Sequence, residues 1–206
     1  WAMSPLAWAP VQALLGALPS LAPALPGHAA DAVCPQASGL ASWTDALATR
    51  LPQGAMVVGW SLGGLLALEL ARRHPERVAR LVLIGTSARF VADDAGWPGL
   101  SADVVEGFQH GFATDPAATL KRFVALQCLG EAERRSTIQT VSAALALHSG
   151  RSPPDPVLAE GLAILADSDL RPCLAELRQP CLLVHGEDDA LMPLAAARAL
   201  AAALPM

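Results

Sequence analysis

At 206 residues, 53% of them hydrophobic, the chain is long enough to bury one sizeable core and argues for a single domain with room for an insertion. A net charge of -5 at pH 7 and an isoelectric point near 5.5 exclude a chain drawn as a whole to nucleic acid or to an anionic membrane. The four cysteines, Cys34, Cys128, Cys173 and Cys181, show no Cys-x-x-Cys spacing, so neither a zinc site nor a disulfide framework is expected, and a reducing cytoplasm is the simpler compartment.

The first charged residue is Asp31, but Pro5, Pro10, Pro19, Pro23 and Pro26 interrupt the apolar start and no basic segment precedes it. Neither a signal peptide nor a membrane span is therefore expected. The mean hydropathy of +0.39 comes mainly from alanine and leucine in helical patterns. Trp1 reads as the middle of a loop, so the chain is expected to be a fragment.

Gly54 to Trp60 is a short, continuous apolar run, the pattern of a parallel strand buried on both faces. A helix follows at once over Leu62 to Arg73, with leucines at 62, 65, 66 and 70, a basic pair at its end, and Pro75 where it must stop. The junction Gly59-Trp60-Ser61-Leu62-Gly63-Gly64 leaves no residues for a loop. Such a turn strains the serine backbone and calls for missing side chains two residues before and after it, at Gly59 and Gly63. It also holds Ser61 Oγ out at the carboxyl edge of the sheet, with the Leu62 N–H aimed at a developing oxyanion: the pattern of a nucleophile elbow.

Val78 to Gly85 predicts a second strand and completes a β-α-β unit. From Thr86 to about Asp169 the pattern turns helical, with Phe108, Phe112, Phe123 and Leu126 on the apolar side and Arg122, Glu131, Arg134 and Arg135 on the polar side. An all-helical insertion between parallel strands reads as a lid over the carboxyl edge, broken at Arg151 to Pro156. Pro180 to Gly186 predicts a third strand, and Leu194 to Leu204 a closing helix.

A serine nucleophile needs a base and a carboxylate to orient it. Glu187, Asp188 and Asp189 follow the third strand, and Asp189, far enough past Gly186 to point back into the cleft, is the expected acid. His185 has no companion cluster that would make it a metal ligand. His28, His74, His110, His148 and His185 all precede Asp189 and read as loop, helix-end or lid residues. The base is therefore expected beyond Met206, and the 206-residue chain alone is expected to be inactive.

These residues resemble the α/β-hydrolase superfamily, and within it the pimeloyl-[acyl-carrier protein] methyl ester esterases of biotin synthesis. The likeness covers almost the whole chain: Leu25-Pro26-Gly27, the Gly59 to Gly64 elbow, His74-Pro75-Glu76-Arg77-Val78, Trp97-Pro98-Gly99, Gly107-Phe108-Gln109, Arg122 to Gln127, Asp169-Leu170-Arg171 and the Gly186 to Pro193 turn. The resemblance implies an α/β-hydrolase fold: a doubly wound, mostly parallel sheet with an inserted helical lid. Its parts would be a first core segment at 1–86, the lid at 87–169 and a second core segment at 170–206.

It implies Ser61 as nucleophile and Asp189 as acid. In this family a His-Gly-Trp loop supplies one oxyanion donor; Trp1-Ala2-Met3 resembles its remainder, which implies Trp1 and Leu62 as the donors. Phe123, Val124, Ala125, Leu126 and Gln127 would line the acyl pocket. Arg122 and Arg135 would meet an acidic acyl-carrier protein, although Ala118 and Gln139 stand where the resemblance implies two further basic residues. The implied enzyme is a cytoplasmic, monomeric serine carboxylesterase with no metal or other cofactor, no nucleic-acid partner and no membrane. The readings beside it are a general small-ester carboxylesterase or lactonase and, since no histidine follows the acid, a non-catalytic binding protein of the same fold.

Overall fold

The computed structural model describes residues 1–29, 32, 35–145 and 156–205; Cys34, His148 and the break at 151–155 lie outside them. A 3-10 turn at Pro5–Trp8 leads into α1 (Ala9–Leu15), and α2 spans Leu40–Ala48. Then come β1 (Ala55–Trp60), α3 (Leu62–Arg73) and β2 (Val78–Ile84). A helical insertion follows, with α4 (Ala102–Thr114), α5 (Pro116–Gln127), α6 (Arg134–Ala143) and α7 (Pro156–Asp167). The chain returns through β3 (Cys181–Val184) to α8 (Leu194–Ala203). The described strands form one parallel sheet in the order β1-β2-β3.

The core is built around α3, whose leucines at 62, 65, 66, 68 and 70 are all buried. Each contributes about 2 kcal/mol by leaving water. They pack on β1 and β2 and, on the far side, on α2, where Trp43 is fully buried. Glu69 is buried on α3 too, and is tolerated because Arg72 grips it with two hydrogen bonds of 2.9 and 2.8 Å. The sheet has unlike faces. Leu81 and Leu83 are buried, whereas Met56, Val58, Leu182 and Val184, in register on the other face, are exposed. The strands read as two-sided in sequence, but the described chain brings no helix squarely onto that second face. α1 stands off β1 across a groove of about 230 Å³.

An ionic clasp closes the neck of the insertion. Arg171, just past α7, bonds Asp93 at 2.6 Å and Asp169 at 2.6 and 2.8 Å, and Arg89 reaches Asp169 at 3.2 Å. The Arg171 guanidinium lies over the Trp97 ring, whose N–H is shared between Ser87 Oγ and the Arg89 carbonyl. The Leu170 N–H closes the neck on the Ala88 carbonyl at 2.9 Å. Thus the Trp97 and Asp169-Leu170-Arg171 motifs meet at the place where the insertion leaves and rejoins the core.

Arg171 above all, with Arg89 behind it, holds the Asp169 carboxyl down to about 2 from the ordinary 3.8. The unfolded chain then binds the extra proton between those values, so the clasp is at full strength above pH 4 and is lost as pH falls toward 2. Urea unfolding midpoints measured from pH 5 to 2.5 are expected to fall for the wild type and to fall less steeply for Asp169→Asn.

Candidate active site

β1 passes into α3 through Ser61 alone, with φ 53 and ψ -119. Ser61 and Ala2 are the non-glycine residues with positive φ among those described. The Ser61 N–H bonds the Ile84 carbonyl at 2.9 Å, and Thr86 Oγ1 donates to the Ser61 carbonyl at 2.9 Å, so the end of β2 holds the turn from both sides. Ser61 Oγ makes no hydrogen bond among the described residues. Leu62 opens α3, so its N–H is one of the free donors at a helix N-terminus.

The glycines divide the work differently from the simple rule. A Cβ at Gly59 would run into the Gly63 carbonyl and the Gly64 backbone, and one at Gly64 would lie 2.5 Å from the Thr86 side chain. One at Gly63 would meet nothing within 4 Å. The position that must stay bare on the helix side is therefore Gly64, because the helix turns that residue onto the end of β2 and leaves Gly63 facing the groove beside β1.

Asp189 lies in the turn after β3. Its Oδ1 accepts the Leu191 and Met192 N–H groups at 2.8 and 3.0 Å, whereas Oδ2, beside Gly85, accepts no hydrogen bond from the described residues. Gly85, at φ 51, ends β2, and a side chain there would press on that oxygen. Glu187 and Asp188 are exposed, whereas Asp189 is half-buried. His185 has a buried side chain and bonds the Met192 carbonyl through Nε2 at 2.8 Å; it cross-braces the turn, 3.8 Å from Asp189 Oδ2.

Ser61 and Asp189 share one cavity of about 430 Å³, walled also by Trp1, Phe123, Leu126 and Gln127. Val124 and Ala125 are not on that wall: residues 123, 126 and 127 share one face of α5, while Val124 is buried inside the insertion. Trp1 is almost fully buried. Its indole N–H bonds the Leu158 carbonyl of α7 at 2.7 Å, and the rings of Phe112 and Phe123 stand nearly perpendicular to it at centroid distances of 5.2 Å. Gln127 has both amide atoms buried without a hydrogen-bond partner among the described residues.

Arg122 and Arg135 are both exposed on the insertion, Arg122 with its guanidinium 5.1 Å from the centre of the Phe108 ring. Among the described histidines, His74 pairs with Asp45 at 2.7 Å and His110 is exposed on α4. His28, read from the sequence as an ordinary loop residue, is fully buried against the Trp1-Ala2 segment. Its partner lies 26 positions away, and no local pattern announces the contact. Among the described residues no group of three or more His, Cys, Asp or Glu side chains is placed to hold a metal, and no helix is long and apolar enough to cross a membrane.

Gly59→Ala and Gly64→Ala are expected to lower unfolding free energy by about 3 kcal/mol, the upper range for overpacking, while Gly63→Ala stays within about 1 kcal/mol of the parent. Urea unfolding of the three variants measures the difference.

The alpha/beta hydrolase fold family matches residues 37–206. A pimeloyl-[acyl-carrier protein] methyl ester esterase of Aromatoleum aromaticum is 52% identical over 211 residues, covering 100% of this chain and 83% of the relative. An esterase of the same name from Sodalis glossinidius is 41% identical over 75% of this chain, which spans 59% of its length. Among solved structures, a thermophilic esterase from Thermogutta terrifontis superposes with a TM-score of 0.77 at 21% identity, covering 100% of this chain and 75% of its own; at that identity the likeness speaks for the fold. With the strand-to-helix serine turn and the parallel sheet in hand, these matches assign the chain to the alpha/beta hydrolase fold family, among relatives named pimeloyl-[acyl-carrier protein] methyl ester esterases.

Proposed function

We propose that this protein is a serine carboxylesterase that hydrolyses the methyl ester of pimeloyl-acyl-carrier protein, releasing methanol and the pimeloyl-carrier, in the biotin synthesis of the cytoplasm. The observation that carries the reading is the single cavity shared by a strained serine at a helix N-terminus, a carboxylate with one free oxygen, and an aromatic and amide wall from α5. The 52% identity along the whole chain supports the substrate.

In this reading Ser61 Oγ attacks the ester carbonyl as a histidine takes its proton. The Leu62 N–H and the Trp1 backbone nitrogen stabilise the tetrahedral oxyanion, each donor worth about 3 kcal/mol. The histidine then protonates the departing methoxide, which leaves as methanol. Water, deprotonated by the same base, attacks the acyl-enzyme and frees the acid and Ser61. Asp189 Oδ2 is the oxygen that orients that histidine and balances its charge. His28, His74 and His185 are each bonded elsewhere, so none of them serves as this base.

The insertion, 87–169, acts as the lid. Phe123 and Leu126 receive the apolar acyl chain, and Gln127 gives its amide, unpaired among the described residues, to a polar group of the substrate. Arg122 and Arg135, both exposed, suit the acidic surface of a carrier.

In the full-length protein, Ser61→Ala is expected to abolish ester turnover and labelling by a fluorophosphonate, and Asp189→Asn to lower kcat by about 10⁴-fold. Arg122→Glu with Arg135→Glu is expected to raise KM for the carrier-linked methyl ester and leave methyl pimelate unaffected. Good turnover of short p-nitrophenyl esters with none of the carrier-linked ester would make the protein a general esterase. An unlabelled Ser61 would make it a binding protein.

A further inference from the structure

Ala2 holds a backbone conformation that alanine rarely adopts. At φ 59 it lies in the left-handed region, which disfavours a residue with a Cβ by about 1–2 kcal/mol. For Ser61 the equivalent strain is imposed by a strand on one side and a helix on the other. Ala2 belongs to no helix or strand; on its C-terminal side Met3 bridges Leu145 and the Ser4 N–H bonds the Ala144 carbonyl at 2.7 Å, so its N-terminal side needs a hold of its own.

His28 is the group in contact. Its Nδ1 lies 2.7 Å from the Pro26 carbonyl and its Nε2 lies 3.0 Å from the Ala2 nitrogen. A carbonyl only accepts, so Nδ1 carries the proton and Nε2 offers its lone pair to the Ala2 N–H. Both residues are fully buried, and the imidazole and the buried Trp43 ring meet at nearly right angles with centroids 6.1 Å apart. Burial pushes the imidazole down to about 3, so it stays neutral and Nε2 stays an acceptor across the physiological range. On its other side the ring stands on a tight turn in which the His28 N–H bonds the Leu25 carbonyl at 2.9 Å. The result is a strut from the Leu25–His28 turn to the peptide between Trp1 and Ala2.

That peptide neighbours a proposed donor. With the Trp1 indole pinned to Leu158 and the Ala2 N–H pinned to His28, the Trp1 backbone is clamped on both sides, and its nitrogen has little freedom to swing. We propose that His28 is a positioning residue for ester hydrolysis, which holds the strained Trp1-Ala2 peptide through Nε2 so that the Trp1 backbone nitrogen faces the oxyanion formed at Ser61. The proposal rests on Ser61 being the nucleophile. It does not make His28 a proton carrier: both ring nitrogens are engaged away from Ser61.

Three substitutions separate positioning from packing. His28→Asn places an amide near the Nδ1 position and keeps the link to Pro26 alone, His28→Gln places one near the Nε2 position and keeps an acceptor for Ala2, and His28→Phe keeps neither. In the full-length protein, Phe and Asn are expected to lower kcat about tenfold, the scale of the released strain, with KM within about twofold, and Gln to retain most of the activity. Binding of a trifluoromethyl ketone, which forms an oxyanion on the serine, is expected to weaken by the same factor as kcat. Adding Ala2→Gly, which removes the penalty on positive φ, is expected to restore part of the loss in His28→Phe.

Unchanged kcat and ketone binding in Phe and Asn would overturn the proposal. So would an equal loss in all three variants in step with their melting temperatures, which would mark a packing role. Long-range proton–nitrogen NMR of the His28 ring provides a readout independent of turnover: protonated Nδ1 and bare Nε2 at pH 7 are expected, and the opposite tautomer overturns the proposal. If the wild type neither labels at Ser61 nor turns over ester, the reading of Ser61 fails first. If the wild type labels and turns over while the variants behave alike, only the role of His28 fails.

Discussion

The constraint on which the rest depends is the contact of the α3 backbone with the β1 backbone across Gly59. With no side chain at 59, the carbonyl of Gly63 and the backbone of Gly64 come to rest where a Cβ would stand, and the chain reverses through one residue. Strand and helix then share a single rigid junction, and Ser61 has no conformation open to it other than the strained one. Its exposure at the cavity follows from that geometry. So does the direction of α3, whose first free N–H groups open beside the serine and whose buried leucines carry the sheet below.

The other parts of the site reach this junction by longer routes. Asp189 comes from the turn after β3, fitted against Gly85 at the end of β2; the strand that also anchors Ser61 through Ile84 and Thr86 thus sets both groups in one frame. Trp1 comes from the opposite end of the chain and is gripped mostly by the insertion, through Leu158, Phe112 and Phe123. The Trp1 side of the cavity is therefore coupled to the attitude of the insertion. The Asp93, Asp169, Arg89 and Arg171 clasp fixes that attitude at the neck, and the bonds of Ser4 to the Ala144 carbonyl and of Gly39 to Glu160 fix it farther out.

What could be read in the sequence is what local chemistry decides. The strand, turn and helix at 54–73 were legible because apolar runs, glycines and Pro75 act within a few residues; the helix reads as Leu62 to Arg73 and is observed over those residues. α2 was not legible: Leu40 to Ala48 lacks a strong capping signal, and α3 gives it a reason to form by covering Trp43. Helix phase was missed inside a motif. The run 123–127 reads as one pocket-lining unit, but at 3.6 residues per turn only part of it faces the cavity. Gly63 and Gly64 were not separable for the same reason, since which of two adjacent glycines meets Thr86 depends on how the helix is rotated. The clasp and the His28 strut join residues 78 and 26 positions apart, and nothing in either neighbourhood names its partner.

Ala2 and Ser61 are the strained non-glycine residues among those described; Ser61 and Trp1, the neighbour of Ala2, line one cavity, in which Gln127 keeps an amide without a hydrogen-bond partner among the described residues. Strain and desolvated polar groups each cost stability, on the order of 1–3 kcal/mol apiece. A fold keeps such features together only where the surroundings over-determine them. Here Ser61 is over-determined by backbone, through its neighbours in β1, α3 and β2, and Ala2 by a side chain, through His28. The two solutions differ in how they tolerate change. A backbone junction survives most substitutions that respect its glycines, whereas a strut made of one imidazole depends on a single tautomer in a dry pocket. The Trp1-Ala2 segment is for that reason the more easily retuned half of the site, and variation in its geometry should enter through His28 and Ala2 before it enters through the elbow.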